Sequence, residues 1–181
     1  LPRLVAAIDE EVRLSLGGTQ EKLLLRRSDD GWLLPLDGAL STHILKPEPE
    51  RYPGLAAAEA WCLMAAGQVT ATARAELLVA PGHRPTIVVA RYDRHVTADG
   101  LRRIHQEDLC QALGIPPTAK YANSTGPSEP SFGRLASILA SRAADAPAEL
   151  RRLLVQITVN LALGNADAHA KNFSLLHGGG G

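Results

Sequence analysis

Between Lys22 and Tyr92 the apolar residues come in short runs cut off by turn chemistry, which restricts this stretch mainly to strands. KLLLRR (22–27) and GWLLP (31–35) are short, rich in apolar side chains, and separated by a turn-like Ser-Asp-Asp. THILK (42–46) is a third run, stopped by Pro47. Residues 74–79 and PTIVVARY (85–92) read as two more strands around the turn signal Pro81-Gly82-His83. One helix interrupts them: LAAAEAWCLMAA (55–66) lies between Pro53-Gly54 and Gly67 and carries a single acid, Glu59.

The character changes after Asp93. QEDLCQAL (106–113) reads as a short helix ended by Gly114, with prolines soon after. YANSTGPSEP (121–130) is turn-rich and reads as an exposed loop. Residues 132–142 and 149–163 read as helices, and Leu150, Leu153, Leu154, Ile157 and Leu161 fall on one face of the second. The expectation is an α+β chain: a β-rich first lobe over 1–93 and the start of a helical second lobe over 94–181.

With 45% of its residues apolar, the chain has the material for a core. Its 19 basic and 19 acidic side chains cancel, which argues against overall electrostatic binding to DNA or a membrane. Cys62 and Cys110 sit singly in apolar stretches, as buried thiols rather than a disulfide pair. No run of 18 apolar residues and no signal-peptide pattern occurs, so a soluble cytoplasmic protein is expected. The chain opens on Leu1 and closes on four glycines, which suggests that both ends are cut from something longer.

Three motifs carry chemistry. Ser15-Leu-Gly-Gly-Thr-Gln-Glu-Lys22 precedes a strand, and its adjacent glycines let a backbone approach an anion closely. Spacing alone leaves two readings, a phosphate-facing loop or a Gly-Gly hairpin turn. The P-loop and dinucleotide patterns are both missing. Lys46, at the end of a strand, is followed thirteen residues later by the helical Glu59. Kinases pair a phosphate-contacting strand lysine with a helical glutamate in this way. Finally, Asp167 and Asn172 stand five apart in GNADAHAKNFSLLH, matching the D-x-x-x-x-N part of a kinase catalytic loop. The His and Arg that precede the Asp in H-R-D are replaced by Asn165-Ala166, and a solvated loop after a helix has a similar composition. Zinc on Asp167 and His169 is disfavoured, because no second His or Cys pair lies at ligand spacing and the six histidines are spread along the chain. No G-x-S-x-G elbow occurs, and His105 and Asp108 read as helix-start and surface residues. Glycine loop, strand lysine, helical glutamate and D-x-x-x-x-N loop do occur in the order a two-lobed kinase requires.

SLGGTQEKLLL, THILKP, RYDR, HQEDLCQALG, KYA and GNADAHAKNFSLL together resemble the HipA family of serine/threonine kinase toxins, over essentially the whole chain. The resemblance implies a two-lobed protein-kinase-like fold, ATP as phosphate donor, Mg2+ as cofactor and a role in a toxin–antitoxin pair. It makes Asp167 the catalytic base and Asn172 a magnesium ligand, with His169 and Lys171 near the nucleotide phosphates. Gly17, Gly18, Thr19, Gln20, Glu21 and Lys22 become the phosphate-facing loop, Lys46 a phosphate contact, Glu59 its ion-pair partner, and Ala90, Arg91 and Tyr92 the adenine-receiving hinge. Ser15 resembles the serine whose autophosphorylation silences the kinase by placing negative charge in that loop. The implied partners are a HipB-like helix-turn-helix antitoxin, DNA only through that antitoxin, and an aminoacyl-tRNA synthetase as substrate, glutamyl-tRNA synthetase in the family. Phosphorylation of that target blocks translation and brings on persistence. The family's additional N-terminal subdomain and its second metal-binding aspartate, the DFG equivalent, fall outside this sequence, so the 181 residues alone are expected to be inactive. A small-molecule kinase on a related fold and a non-catalytic kinase-like binding module are the alternatives.

Overall fold

The computed structural model describes residues 20–121 and 129–178, which fall into two compact units divided between Arg103 and Ile104. The first unit is built on a five-stranded sheet of β1 (Leu23–Ser28), β2 (Gly31–Leu33), β3 (His43–Pro47), β4 (Ala75–Leu78) and β5 (Thr86–Ala90). Its spatial order is β2-β1-β3-β5-β4, with every neighbouring pair antiparallel. Each strand expected from the sequence is present within one or two residues of its expected start, because the prolines and glycines between runs leave little freedom of register.

Register and alternation sort the side chains of this sheet. Leu23 faces Leu45, and Leu45 faces Val88, so the three stack on one side of the sheet. With Leu25 they form a buried cluster, against which Trp32 and Leu78 pack. Lys46 and Ile87, one position on, face each other on the opposite side. The helix α1 (Leu55–Ala66) packs on β4 and β5. It begins at Gly54, whose φ of 87° lies in the left-handed region. In its first turn, the Glu48 carboxylate accepts a bond from the Ala56 N–H at 3.1 Å. A hairpin of β6 (Arg94–Thr97) and β7 (Gly100–Arg103), unmarked in the sequence reading, completes the unit.

The second unit contains β8 (His105–Asp108), α2 (Leu109–Leu113), α3 (Phe132–Arg142), α4 (Ala146–Ala162) and β9 (Ser174–His177). The helix expected over 106–113 is therefore a helix only in its second half. Asp108 ends the strand in extended backbone and caps α2, accepting from the Gln111 N–H at 2.9 Å while the Gln111 side chain returns to the Asp108 N–H at 2.9 Å. The residues before it pair with β9 instead. Leu109, Cys110, Leu135, Leu153, Ala170 and Phe173 form the core of this unit.

Two burial expectations are corrected. On α4, Leu153 is buried and Ile157 packs on the core, but Leu154 and Leu161 are 63% and 78% exposed. They lie about 80–100° round the helix from Leu153 at ~3.6 residues per turn, beyond what the core covers. Cys110 is buried as expected, whereas Cys62 is only partly so, since α1 shows the sheet one side and leaves Trp61 and Met64 exposed.

Candidate functional site

In the first unit the strand lysine and the helical glutamate meet. Lys46 Nζ donates to Glu59 Oε1, joining β3 to α1 with both side chains about three-quarters buried. Lys22 lies close enough to feel both charges. Its pKa is lowered, first by burial and then by the Lys46 ammonium, with Glu59 partly offsetting. Two ammonium groups and the Glu59 carboxylate thus share this end of β3. Gln20 and Glu21 belong to the same neighbourhood: Gln20 Nε2 donates to the Pro47 carbonyl at 3.4 Å, and Glu21 pairs with Arg84 at 3.1 Å. Ser15, Gly17, Gly18 and Thr19 lie outside the described residues.

The Ala90-Arg91-Tyr92 segment is held by a network that the sequence reading missed. Asp93, 3% exposed, takes a bidentate grip from Arg91 (Nε to Oδ1 2.9 Å, Nη2 to Oδ2 2.8 Å) and a third bond from Arg94 at 2.7 Å. Burial pushes the Asp93 pKa up, but the bonds and charges of Arg91 and Arg94 outweigh it and hold the carboxyl below its ordinary value. Arg91 also reaches Ser41 Oγ at 3.2 Å, and Arg94 reaches the Ser41 carbonyl at 2.9 Å. The backbone N–H groups of Ala90 and Arg91 are bonded to Arg74 and Thr42 carbonyls. The Arg91 side chain is thereby committed to fixing the segment that follows β5. The R-Y-D-R spacing was the available signal, since an Asp between two arginines invites such a cluster.

In the second unit α4 feeds directly into the loop that carries Asp167. Leu163 closes the helix, Gly164 turns the chain at φ 65°, and Asn165 bonds back to Asn160 through both backbone (2.8 Å) and side chain (2.9 Å). Asn165 Oδ1 then accepts from the Asp167 N–H at 3.1 Å. Across the loop, Asn172 Nδ2 donates to the Asp167 carbonyl and, at 3.3 Å, to its Oδ2. The His169 N–H bonds the Asp167 carbonyl and the Asn172 N–H bonds the His169 carbonyl, each at 2.8 Å. Residues 167–172 are therefore one closed hydrogen-bonded turn. Its Asp167 carboxylate is 77% exposed, with His169 Nε2 at 3.6 Å.

His169 points inward from that turn. Its side chain is 91% buried, the ring stands edge-on to Tyr121 at 5.2 Å, and Nδ1 has no hydrogen-bond partner among the described residues. It lines a cavity of about 290 Å3 whose walls are mainly apolar, among them Leu109, Phe132 and Phe173, with Lys120, Tyr121 and Ser131 as the other polar side chains. Lys171 turns the other way and pairs with Asp108 Oδ2 at 2.8 Å. The hydrogen bond to Asp108 raises the Lys171 pKa. For Asp108 burial works upward, and the Lys171 bond with the cap bond from Gln111 brings it below its ordinary value. Asp108 is thus the helix-start residue expected, with a second duty toward the loop.

Histidines dispersed in sequence also meet: His105 and His177 face each other across β8 and β9. Only strand pairing between positions 72 apart brings them together, and spacing along the chain holds no trace of it.

A β-rich unit with a lysine–glutamate pair, and a unit of helices and a small sheet bearing a D-x-x-x-x-N turn, define an α+β fold of the protein-kinase-like kind. The model of the HipA-like C-terminal domain family matches residues 14–181, and the chain belongs to that family. "Putative kinase Y4mE" of Sinorhizobium fredii is 44% identical over 177 residues, covering 97% of this chain and 41% of the relative. The serine/threonine-protein kinase toxin HipA of Shewanella oneidensis is 32% identical over 177 residues, covering 92% and 40%. A chain in the solved complex of the Shewanella oneidensis toxin–antitoxin system, HipA with HipB and operator DNA, superposes with a TM-score of 0.74 at 28% identity over 97% of this chain and 45% of that one. The chain thus spans about two-fifths of the length of these curated relatives.

Proposed function

We propose that this chain supplies the phosphate-holding lobe and catalytic loop of an ATP-dependent serine/threonine protein kinase of the HipA kind. The observation that carries the reading is the Asp167–Asn172 turn, in which one hydrogen-bonded loop presents a carboxylate and an amide oxygen at fixed separation. Asn172 spends Nδ2 on Asp167, so Oδ1 is the atom left to ligate. A hard carbonyl-type oxygen suits Mg2+, so the donor set fits that ion. When bound, Mg2+ supplies neutralisation of charge on the phosphate oxygens.

In this mechanism Lys46, oriented by Glu59, holds phosphate oxygens of ATP, Lys22 adds positive charge, and the loop before it offers backbone N–H groups to the phosphates. Asp167 accepts a hydrogen bond from a serine or threonine hydroxyl, aligns its oxygen with the γ-phosphorus and takes its proton as the new P–O bond forms. ADP leaves with the electrons of the broken P–O bond. The hinge at Ala90, Arg91 and Tyr92 receives adenine through backbone groups other than the Ala90 and Arg91 N–H, which the Arg74 and Thr42 carbonyls hold, Arg91 being anchored to Asp93. For His169 and Lys171 to act near the nucleotide phosphates, His169 must turn out of its cavity and Lys171 must exchange Asp108 for phosphate. Ser15 is the proposed site of inhibitory autophosphorylation, since about two negative charges there repel ATP.

The HipA–HipB–DNA complex of the structural relative supports a HipB-like antitoxin as partner, with DNA contacted through it. An aminoacyl-tRNA synthetase as substrate and a cytoplasmic location extend the same reading. Among the described residues, no helix is long and apolar enough to cross a membrane.

The test is labelled ATP and Mg2+ with the full-length protein and candidate acceptors. Acid-stable phosphate on serine or threonine is expected, and Asn172→Ala should raise the Mg2+ requirement at least about tenfold, equivalent to ~1.4 kcal/mol. Turnover of ATP with a metabolite but no protein acceptor would favour a small-molecule kinase instead.

A further inference from the structure

A cluster of ligand-type side chains lies on the β8–β9 ribbon, built from residues that the phosphotransfer reading does not use. Antiparallel register sets His105 directly opposite His177, and side-chain alternation brings Glu107 to the same face, diagonal to His177. The contacts follow this geometry. His177 Nε2 lies 3.0 Å from Glu107 Oε2, and the two imidazole rings sit 5.1 Å apart at a tilt of 34°. One ligand atom from each of the three residues falls within 4.8 Å of the other two.

We infer that His105, Glu107 and His177 bind a divalent transition-metal ion of the zinc class, leaving its remaining position open to water. Two imidazoles and a carboxylate are the donor set of three-ligand zinc sites, with metal–ligand distances of about 2.0–2.2 Å. A tetrahedral ion at that range needs donor atoms roughly 3.3–3.5 Å apart. The His177–Glu107 separation is already close to this. His105 and His177 are exposed and Glu107 is half-buried, so modest side-chain rotation closes the rest without moving the strands. Imidazole donors favour zinc, copper or nickel over magnesium, so the site is chemically distinct from the oxygen ligands of the loop.

Placement gives the ion a role. β9 is the strand that leaves the Asp167–Asn172 turn, and β8 ends at Asp108, which binds Lys171 inside that turn. The pair Asp108–Ser174 closes the ribbon at the loop end, and His105–His177 is the pair at the other end. An ion on His105, Glu107 and His177 fastens the open end of the ribbon on which the loop is mounted.

The test is calorimetric titration of Zn2+ into tag-free, chelator-treated full-length protein, with Co2+ absorption reporting coordination geometry. We expect His105→Ala/His177→Ala to bind one Zn2+ equivalent fewer than the parent, with loss of a tetrahedral Co2+ spectrum. Glu107→Gln, which keeps shape and volume, should weaken the same equivalent at least about tenfold. His83→Ala, His95→Ala and Asp167→Asn should leave it unchanged. An unchanged Zn2+ stoichiometry and affinity in the double histidine variant, or no micromolar Zn2+ binding by the parent, would overturn the assignment. Loss of the equivalent in Asp167→Asn would place the ion at the loop instead.

Discussion

Lys46 on β3 and Glu59 on α1, thirteen positions apart in the chain, form an ion pair that joins the sheet to its covering helix. The pair is placed by two periodicities. Strand alternation turns Lys46 away from the Leu23–Leu45–Val88 stack, and α1 packs on the strands beside it. Lys22 lies near enough to feel both charges.

Glu59→Gln should therefore cost little stability and much function. A partly exposed pair contributes about 1 kcal/mol, so thermal unfolding should shift by only a few degrees. Lys46 loses the partner that orients it, and phosphotransfer by the full-length protein should fall at least about tenfold. Thermal denaturation and initial rates on the same preparation separate the two effects; a large stability loss with unchanged rate would contradict the assigned role.

Asp93 should be far more costly to remove. It is buried beneath Arg91 and Arg94, and Asp93→Ala strands both cations, which typically costs about 3–5 kcal/mol. The pH dependence follows from the direction of the shift. Because the folded carboxyl titrates below its ordinary value near 3.8, its contribution is fully present above that value and is lost as pH falls below it. Denaturant unfolding at neutral pH and near pH 3 should show this acid loss in the parent and its absence in Asp93→Asn.

Asp108 separates a cap from a charge. Asp108→Asn keeps an oxygen for the Gln111 N–H and loses only the Lys171 pair, whereas Asp108→Ala loses both. The Ala variant should be less stable than the Asn variant by about 0.5–2 kcal/mol, the ordinary value of an N-cap. Equal unfolding midpoints for the two would show that the cap contributes nothing.

Much of this fold was legible because punctuation in the sequence is strong. Proline, glycine or a Ser-Asp-Asp turn marks at least one end of every strand of the first sheet, and the expected limits 55–66 for α1 and 132–142 for α3 were met. What escaped has a common physical cause. The β6–β7 hairpin and β8 are polar segments, RHVT, GLRR and HQED, with too few apolar side chains to show alternation. HQED also reads onward into a true helix, and only the capping geometry at Asp108 divides them. For the site, the five-residue spacing of Asp167 and Asn172 was visible. Their mutual hydrogen bonds, the burial of His169 and the capture of Lys171 by Asp108 depend on tertiary contacts. So does the His105–His177 juxtaposition.

Asp167 is proposed to act on the acceptor hydroxyl rather than on nucleotide binding or folding. The most direct measurement compares Asp167→Asn with the parent in full-length protein, recording ATP affinity in the presence of Mg2+ alongside phosphate transfer, including phosphate appearing on Ser15. ATP affinity should stay within a few-fold of the parent and transfer should fall by at least about 100-fold, as for loss of a general base. Phosphate transfer at the parental rate in Asp167→Asn would contradict that role.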